Sequence, residues 1–164
     1  MANPEFEIGS INLKSSDRFA PSAKWQIETL ITMLSIAGNH CDDSIACATV
    51  GHITLSEGLH GFSTHTLFRL LRDELPRVQF ALMHVTIWCI GEFGDHLLRP
   101  CDENSTEPFN AIPIPEILGL LQAVLKSHLA TTVTKAYILT SLIKLAGRLD
   151  DGQSECHALV QCSF

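Results

Sequence analysis

The sequence predicts an all-α protein, and three observations carry that reading. Apolar residues recur at i, i+3, i+4 and i+7 in segment after segment, the spacing of one face of a helix. No segment shows the strict alternation of a half-buried strand; residues 78–90 are rich in β-branched side chains, but their length and spacing favour helix. Hydrophobic residues make up 46% of the 164 and charged residues 18%, too apolar a balance for a disordered chain and enough for a real core.

The elements follow in order. Ile27, Leu30, Ile31 and Leu34 form the first amphipathic pattern, after Pro21, with Ser22 as its cap and Gly38 placed to end it. Asp42 or Asp43 starts a second, with Ile45, Val50, Ile53 and Leu59 as its apolar members; Gly51 and Gly58 each weaken it by about 1 kcal/mol relative to Ala. Leu67, Leu70, Leu71 and Leu75 make the third, capped by Ser63 or Thr64 and stopped by Pro76. Val78, Leu82, Val85, Cys89 and Phe93 form a nearly continuous buried stripe. Residues 99–113 carry the breakers Pro100, Asn104, Ser105, Pro108 and Asn110 and read as a loop. Ile117, Leu120, Leu121, Val124, Leu125 and Leu129 give the next helix. Tyr137, Ile138, Leu142, Leu145 and Leu149 give the last, with Thr131, Thr132 and Thr134 as cap candidates.

Roughly six or seven helices joined by short loops suit either a bundle or stacked helix pairs, and a pair per ~40–47 residues is the period of HEAT and armadillo repeats. No self-similarity is visible at that period, so pattern alone favours all-α over solenoid.

Charge and cysteine usage narrow the function. A net charge of −7 with no basic stripe argues against nucleic acid and against direct contact with anionic lipid. Residues 1–13 lack the basic start and apolar run of a secretory signal, and the most apolar stretch, 78–98, is interrupted by His84, Glu92 and Asp95, which suits a buried helix rather than a membrane span. A cytoplasmic location is the default, with the six cysteines (Cys41, Cys47, Cys89, Cys101, Cys156 and Cys162) as free thiols without metal or redox spacing.

Several blocks, in order, resemble the adaptin large chains. Asp17-Arg18-Phe19-Ala20-Pro21-Ser22-Ala23-Lys24-Trp25 is similar to the family's ERFAPSKRW segment. Ile27-Glu28-Thr29-Leu30 and Ile36-Ala37-Gly38-Asn39 resemble the helix that follows. Trp88-Cys89-Ile90-Gly91-Glu92-Phe93-Gly94-Asp95 resembles the WCIGEYGD segment of the γ type. Val124-Leu125-Lys126-Ser127-His128 and the run from Lys135 through Tyr137 and Ser141 to Leu145 resemble later blocks. The resemblance spans residues 17–149. Residues 1–16 are divergent, 150–164 form a divergent tail expected to be disordered, Ala23 stands where the family often has a basic residue, and 73–85 are only loosely similar.

The resemblance implies an α-solenoid of HEAT/armadillo-like pairs from the late part of the N-terminal trunk. It implies a scaffold in clathrin-adaptor-mediated vesicular transport and intracellular sorting. The partners implied are the second large, medium and small adaptor chains, at the cytosolic face of trans-Golgi and endosomal coated vesicles, with membrane association only through the complex. The competing readings are an unrelated helical-repeat binding module and a small cysteine-dependent helical enzyme.

No residue is assigned as catalytic, cofactor-binding or metal-binding. Glu92 and Asp95 fit helix-end acids beside a core Trp88 better than an acid–base pair, because nothing supplies the apolar pocket that raises a carboxyl pKa. His40 beside Cys41, and His84 near Cys89, lack a cysteine-hydrolase signature. Cys156, His157 and Cys162 lack a fourth metal ligand, and His60 and His65 are separated by an expected turn at Gly61. Gly91 and Gly94 are too few for a phosphate loop and are expected to permit close packing or a bend. Asn104-Ser105-Thr106 matches a glycosylation sequon, and loop 99–113, with Asp102, Glu103 and Glu107, reads as a solvated connection.

Overall fold

Helical periodicity becomes helix wherever an apolar stripe has a partner to cover it. In a computed structural model of the chain, residues 22–36, 43–75, 77–101, 108–149 and 152–163 are described. Among these residues lie seven α-helices: α1 (Ala23–Ile36), α2 (Asp43–Leu55), α3 (His60–Glu74), α4 (Phe80–Phe93), α5 (Ile114–Lys126), α6 (Thr132–Arg148) and α7 (Gln153–Ser163). Short 3₁₀ turns occupy Glu57–Leu59 and Gly94–Leu98. The extended pairing among the described residues is a lone antiparallel bridge between Cys101 and Phe109.

The helices pack as a solenoid of pairs. α1 lies on α2, α3 on α4, and α5 on α6 and α7, while α2, α4 and α6 form a continuous second layer. α4 is the centre of that layer. Leu82, Met83, Val85, Thr86, Ile87, Cys89, Ile90 and Gly91 are all buried, so it is covered nearly all round rather than on one stripe. Ile27, Ile31 and Leu34 from α1, Leu67, Phe68 and Leu71 from α3, Ile117, Leu121 and Val124 from α5, and Ile138, Leu142 and Leu145 from α6 complete one core. Each fully buried Leu or Ile contributes about 1.5–3 kcal/mol over its exposed state, which outweighs the weak helix propensity of the β-branched residues in α4.

The expected caps hold at two helices. The Trp25 N–H donates to Ser22 Oγ at 3.2 Å, and the Thr134 N–H donates to Thr131 Oγ1 at 3.1 Å. Elsewhere boundaries move. α3 starts at His60, behind the 3₁₀ turn, so Ser63 and Thr64 are buried inside it rather than capping it; the Thr64 hydroxyl donates to the His60 carbonyl at 2.7 Å. Leu59 falls in that turn and not in α2, and Leu129 follows the end of α5. The apolar stretch 78–98 is not one helix, because α4 gives way to the Gly94–Leu98 turn.

The tail, expected to be disordered, carries α7. Cys156 and Leu159 are buried and Val160 packs beside them, an i, i+3, i+4 stripe that the tail's divergence concealed. The expected roles of Pro21, Gly38, Asp42 and Pro76, the pair His40–Cys41, and the sequon and acids of 102–107 lie outside the described residues.

Candidate protein-interaction surface

The Trp88–Asp95 segment is where α4 meets α6, and its glycines set the distance. A Cβ on Gly91 would stand 2.9 Å from the Cα of Ser141 and 2.8 Å from its Oγ, and one on Gly94 would stand 2.5 Å from Leu145 Cδ2. At Gly91 the obstacle is backbone, so the two helices reach this separation only with glycine there; at Gly94 it is the end of the flexible Leu145 side chain, which a rotamer change moves aside. The close approach lets the buried Ser141 hydroxyl donate to the Ile87 carbonyl at 2.7 Å. The expectation of close helix packing at Gly91 and Gly94 is met, and the expected bend takes the form of the 3₁₀ turn that begins at Gly94.

Charged groups close the same seam. Lys144 Nζ donates to Glu92 Oε1, and Arg148 places one nitrogen 3.2 Å from Glu92 Oε2 and another 3.2 Å from the Gly91 carbonyl. The hydrogen bond from Lys144 is the main reason the Glu92 carboxyl is held below its usual range; burial pushes the other way. A carboxylate held charged by two cations is the reverse of a general acid, which needs a raised pKa. Asp95 sits in the 3₁₀ turn.

The outer face of this seam is open and apolar. Trp88, expected in the core, is only half-buried: it packs edge-on to Phe93 at 5.7 Å and turns its remaining surface outward. Tyr137, also expected among the buried residues of α6, is 40% exposed. Its ring stacks on His84 at 4.8 Å and 5°. His84 Nε2 lies 3.1 Å from Thr134 Oγ1, whose own proton goes to the Leu129 carbonyl at 2.9 Å, so His84 is the donor in that pair. Burial lowers the His84 pKa.

Two recesses share Trp88 and Tyr137. One, of about 630 Å³, runs between α2 and α4 and is lined by Ala46, Cys47, Val50, Gly51, Ala81, His84 and Val85 as well. The other is framed by Ala136, Thr140, Ser141 and Lys144. Val133 and Ile143 extend the apolar face along α6, at 56% and 64% exposure. Both recesses are open to the surface and mostly apolar, with few polar groups converging on a point, which suits a protein surface better than a small-molecule pocket.

The other candidates separate. Cys89 is fully buried, burial pushes its thiol far above the ordinary range, and the ring nitrogen of its supposed partner His84 is committed to Thr134. Cys156 is buried while its neighbour His157 is exposed, and the Cys162 side chain is outside the described set. Among the described residues no three His, Cys, Asp or Glu side chains converge to hold a metal. His60 and His65, expected on either side of a turn at Gly61, lie on one helix, α3, and both reach the chain around the end of α4: His60 stacks on Phe93 at 3.9 Å, and His65 reaches the carbonyls of His96 and Arg99. The contributions of Ser141, Lys144 and Arg148 carry no local sequence signal, since each partner lies more than 50 residues away. No helix among the described residues is long and apolar enough to cross a membrane.

Comparison with known proteins agrees with this architecture. The profile of the family described as "Adaptin N terminal region" matches residues 7–162, which extends beyond 17–149 at both ends. The chain is similar to AP-1 complex subunit gamma-like 2 of Mus musculus, with 39% identity over 138 residues, covering 84% of this chain and 17% of that protein. The Homo sapiens protein of the same name is 38% identical over 138 residues, with the same coverage of 84% and 17%. AP-1 complex subunit gamma-1 of Mycosarcoma maydis is 28% identical over 157 residues, 94% of this chain and 18% of that protein. The chain therefore spans less than a fifth of the length of these relatives.

Proposed function

Since the chain belongs to the adaptin N-terminal-region family, we propose that it is a protein-interaction scaffold, a stretch of γ-adaptin-like trunk that serves clathrin-adaptor-mediated vesicular transport and intracellular sorting. Its partners in this reading are the other subunits of an AP-1-type complex: the second large, medium and small chains. It acts by burying their apolar surface, at the cytosolic face of trans-Golgi and endosomal membranes, and it reaches the membrane through the complex. The observation that carries the reading is the family match over nearly the whole chain, and the apolar face around Trp88 and Tyr137 supplies a surface of the right kind.

Catalysis is not part of the proposal. Glu92 is ion-paired, the Cys89 thiol is sealed in the core, and His84 is tied to Thr134. Recognition by packing is what this arrangement offers.

Co-expression of the full chain with the small and second large AP-1 chains tests the proposal. Stable co-purification is the expected result, reduced when Trp88 and Tyr137 are both changed to Ala. A folded chain, verified by circular dichroism, that associates with none of the subunits overturns it.

A further inference from the structure

We propose that His65 is a pH-sensitive latch: as a neutral ring it fastens the described residues that follow α4, 94–101 and 108–112, onto α3, and acid releases them while the helices stay folded. His65 is fully buried in α3. Its Nε2 lies 3.3 Å from the His96 carbonyl and 3.1 Å from the Arg99 carbonyl. Both are acceptors, so Nε2 carries the proton and Nδ1 is the lone-pair nitrogen of the neutral ring. Nδ1 is buried with no hydrogen-bond partner. A second proton must enter at Nδ1, where nothing accepts its hydrogen bond, on a ring stacked against Phe109 at 5.2 Å.

The groups around the ring oppose that charge. His96 on the 3₁₀ turn and Arg69 on α3 are both repulsive to it. Arg69 also lies over the Phe109 ring at 5.4 Å. Arg72 and Glu116 line the same recess as His65, but Glu116 receives a hydrogen bond from Arg72 at 3.1 Å. His60 meets His96 edge-on at 6.1 Å, and the Cys101 thiol sits on the same side of α3, against Gly61. Burial is the largest cause holding the His65 pKa below 6.5; the two carbonyls pull upward.

What the latch holds is a short paired segment between two core residues, Leu97 and Ile112. The Cys101 and Phe109 backbones exchange hydrogen bonds at 3.0 and 3.1 Å, and the Ile112 N–H donates to the Leu97 carbonyl at 2.7 Å. Protonated His65 gives up the seat of Phe109 and both carbonyls together, whereas the core through Leu67, Leu71 and Leu82 does not depend on the ring's charge. His84 differs: it is half-buried, and its Nε2 meets the Thr134 hydroxyl on α6, so it fastens neither Phe109 nor the carbonyls that follow α4.

Amide hydrogen exchange across pH, corrected for intrinsic exchange, reads the latch directly. Between about pH 7.5 and about pH 5, protection at Cys101, Phe109 and Ile112 is expected to fall about tenfold or more while Ile138 and Leu142 in α6 keep theirs. His65→Gln places a non-titrating donor near the same carbonyls and is expected to abolish the pH dependence. Nitrogen NMR of the wild-type imidazole is an independent reading if that variant misfolds: the Nε2–H tautomer at neutral pH, with protonation coincident with the loss of protection. The proposal is overturned if protection is pH-independent, if it falls equally in α6, if it still falls in a folded His65→Gln, or if His65 titrates apart from it.

Discussion

Replacing Gly91 by Ala tests the close approach of α4 and α6 with a sign rather than a size. Alanine in a helix interior is favoured over glycine by about 0.8–1.0 kcal/mol, so a Gly→Ala change with free space around it stabilises. Gly119, exposed in α5 with nothing within 4 Å of an added Cβ, is such a position. At Gly91 the same methyl would meet Ser141 Cα at 2.9 Å, a backbone atom that no rotamer change can move. Relieving it means separating α4 from α6, with overpacking strain of about 1–3 kcal/mol. Separation also weakens the bond from Ser141 to Ile87, a further contribution of about 0.5–1.5 kcal/mol. Subtracting the propensity gain leaves Gly91→Ala about 1–3 kcal/mol less stable than the parent, while Gly119→Ala is about 1 kcal/mol more stable. At this chain length about 2–4 °C of Tm accompanies each kcal/mol, so thermal or urea melts followed by far-UV circular dichroism resolve the two easily. Equal stabilisation by both substitutions would refute the claim that glycine sets the separation of these helices.

Three further outcomes follow from the same geometry. Glu92→Gln weakens the seam to Lys144 and Arg148 by about 0.5–1 kcal/mol, a small effect because both cations are more than a third exposed, and the difference from wild type shrinks in high salt; an effect indifferent to salt would argue against the ion pairs. Stability falls with acid in two separate arms. His65 and His84 have pKa values lowered by burial, so the unfolded chain takes up protons first; stability is full above 6.5 and declines below it, by at most about 1.4 kcal/mol per pH unit per ring. Glu92, also lowered, contributes fully above 4.5 and loses that contribution as pH falls through its folded value; denaturant midpoints across pH show both arms, and the upper one is reduced in His65→Gln. A thiol probe labels exposed Cys47 in the native protein, whereas buried Cys89 and Cys156 label only after unfolding; rapid native labelling of Cys89 would contradict its burial and raised pKa.

The periodic part of the fold was readable because burial itself writes it: Ile27, Ile31 and Leu34 are spaced for a helix face and are buried on one. Boundaries were less readable. Ser63 and Thr64 are good caps by type, yet a preceding 3₁₀ turn carries the chain into α3 before them. α7 was hidden because Cys156, Leu159 and Val160 form a short stripe amid polar residues, and only the faces of α5 and α6 make it worth burying. At the interaction surface, Gly91 and Gly94 showed where two helices meet but not which two. Their counterparts, Ser141 and Leu145, are set by tertiary packing about 50 residues along the chain. Trp88 and Tyr137 look like core by type, and their exposure is a property of the layer they end in. The His65 latch depends on two backbone carbonyls, which no side-chain pattern encodes.

Trp88 gives the surface a built-in optical probe. The sequence has two tryptophans, and Trp25, on α1 at 48% exposure, lines neither recess. With Trp25→Phe as background, the remaining indole emits from the α4–α6 face itself. A partner that covers this face moves the emission to shorter wavelength and shields it from a dissolved quencher, whereas one that docks elsewhere leaves both unchanged. The site of contact can thus be read from the spectrum of an unlabelled protein.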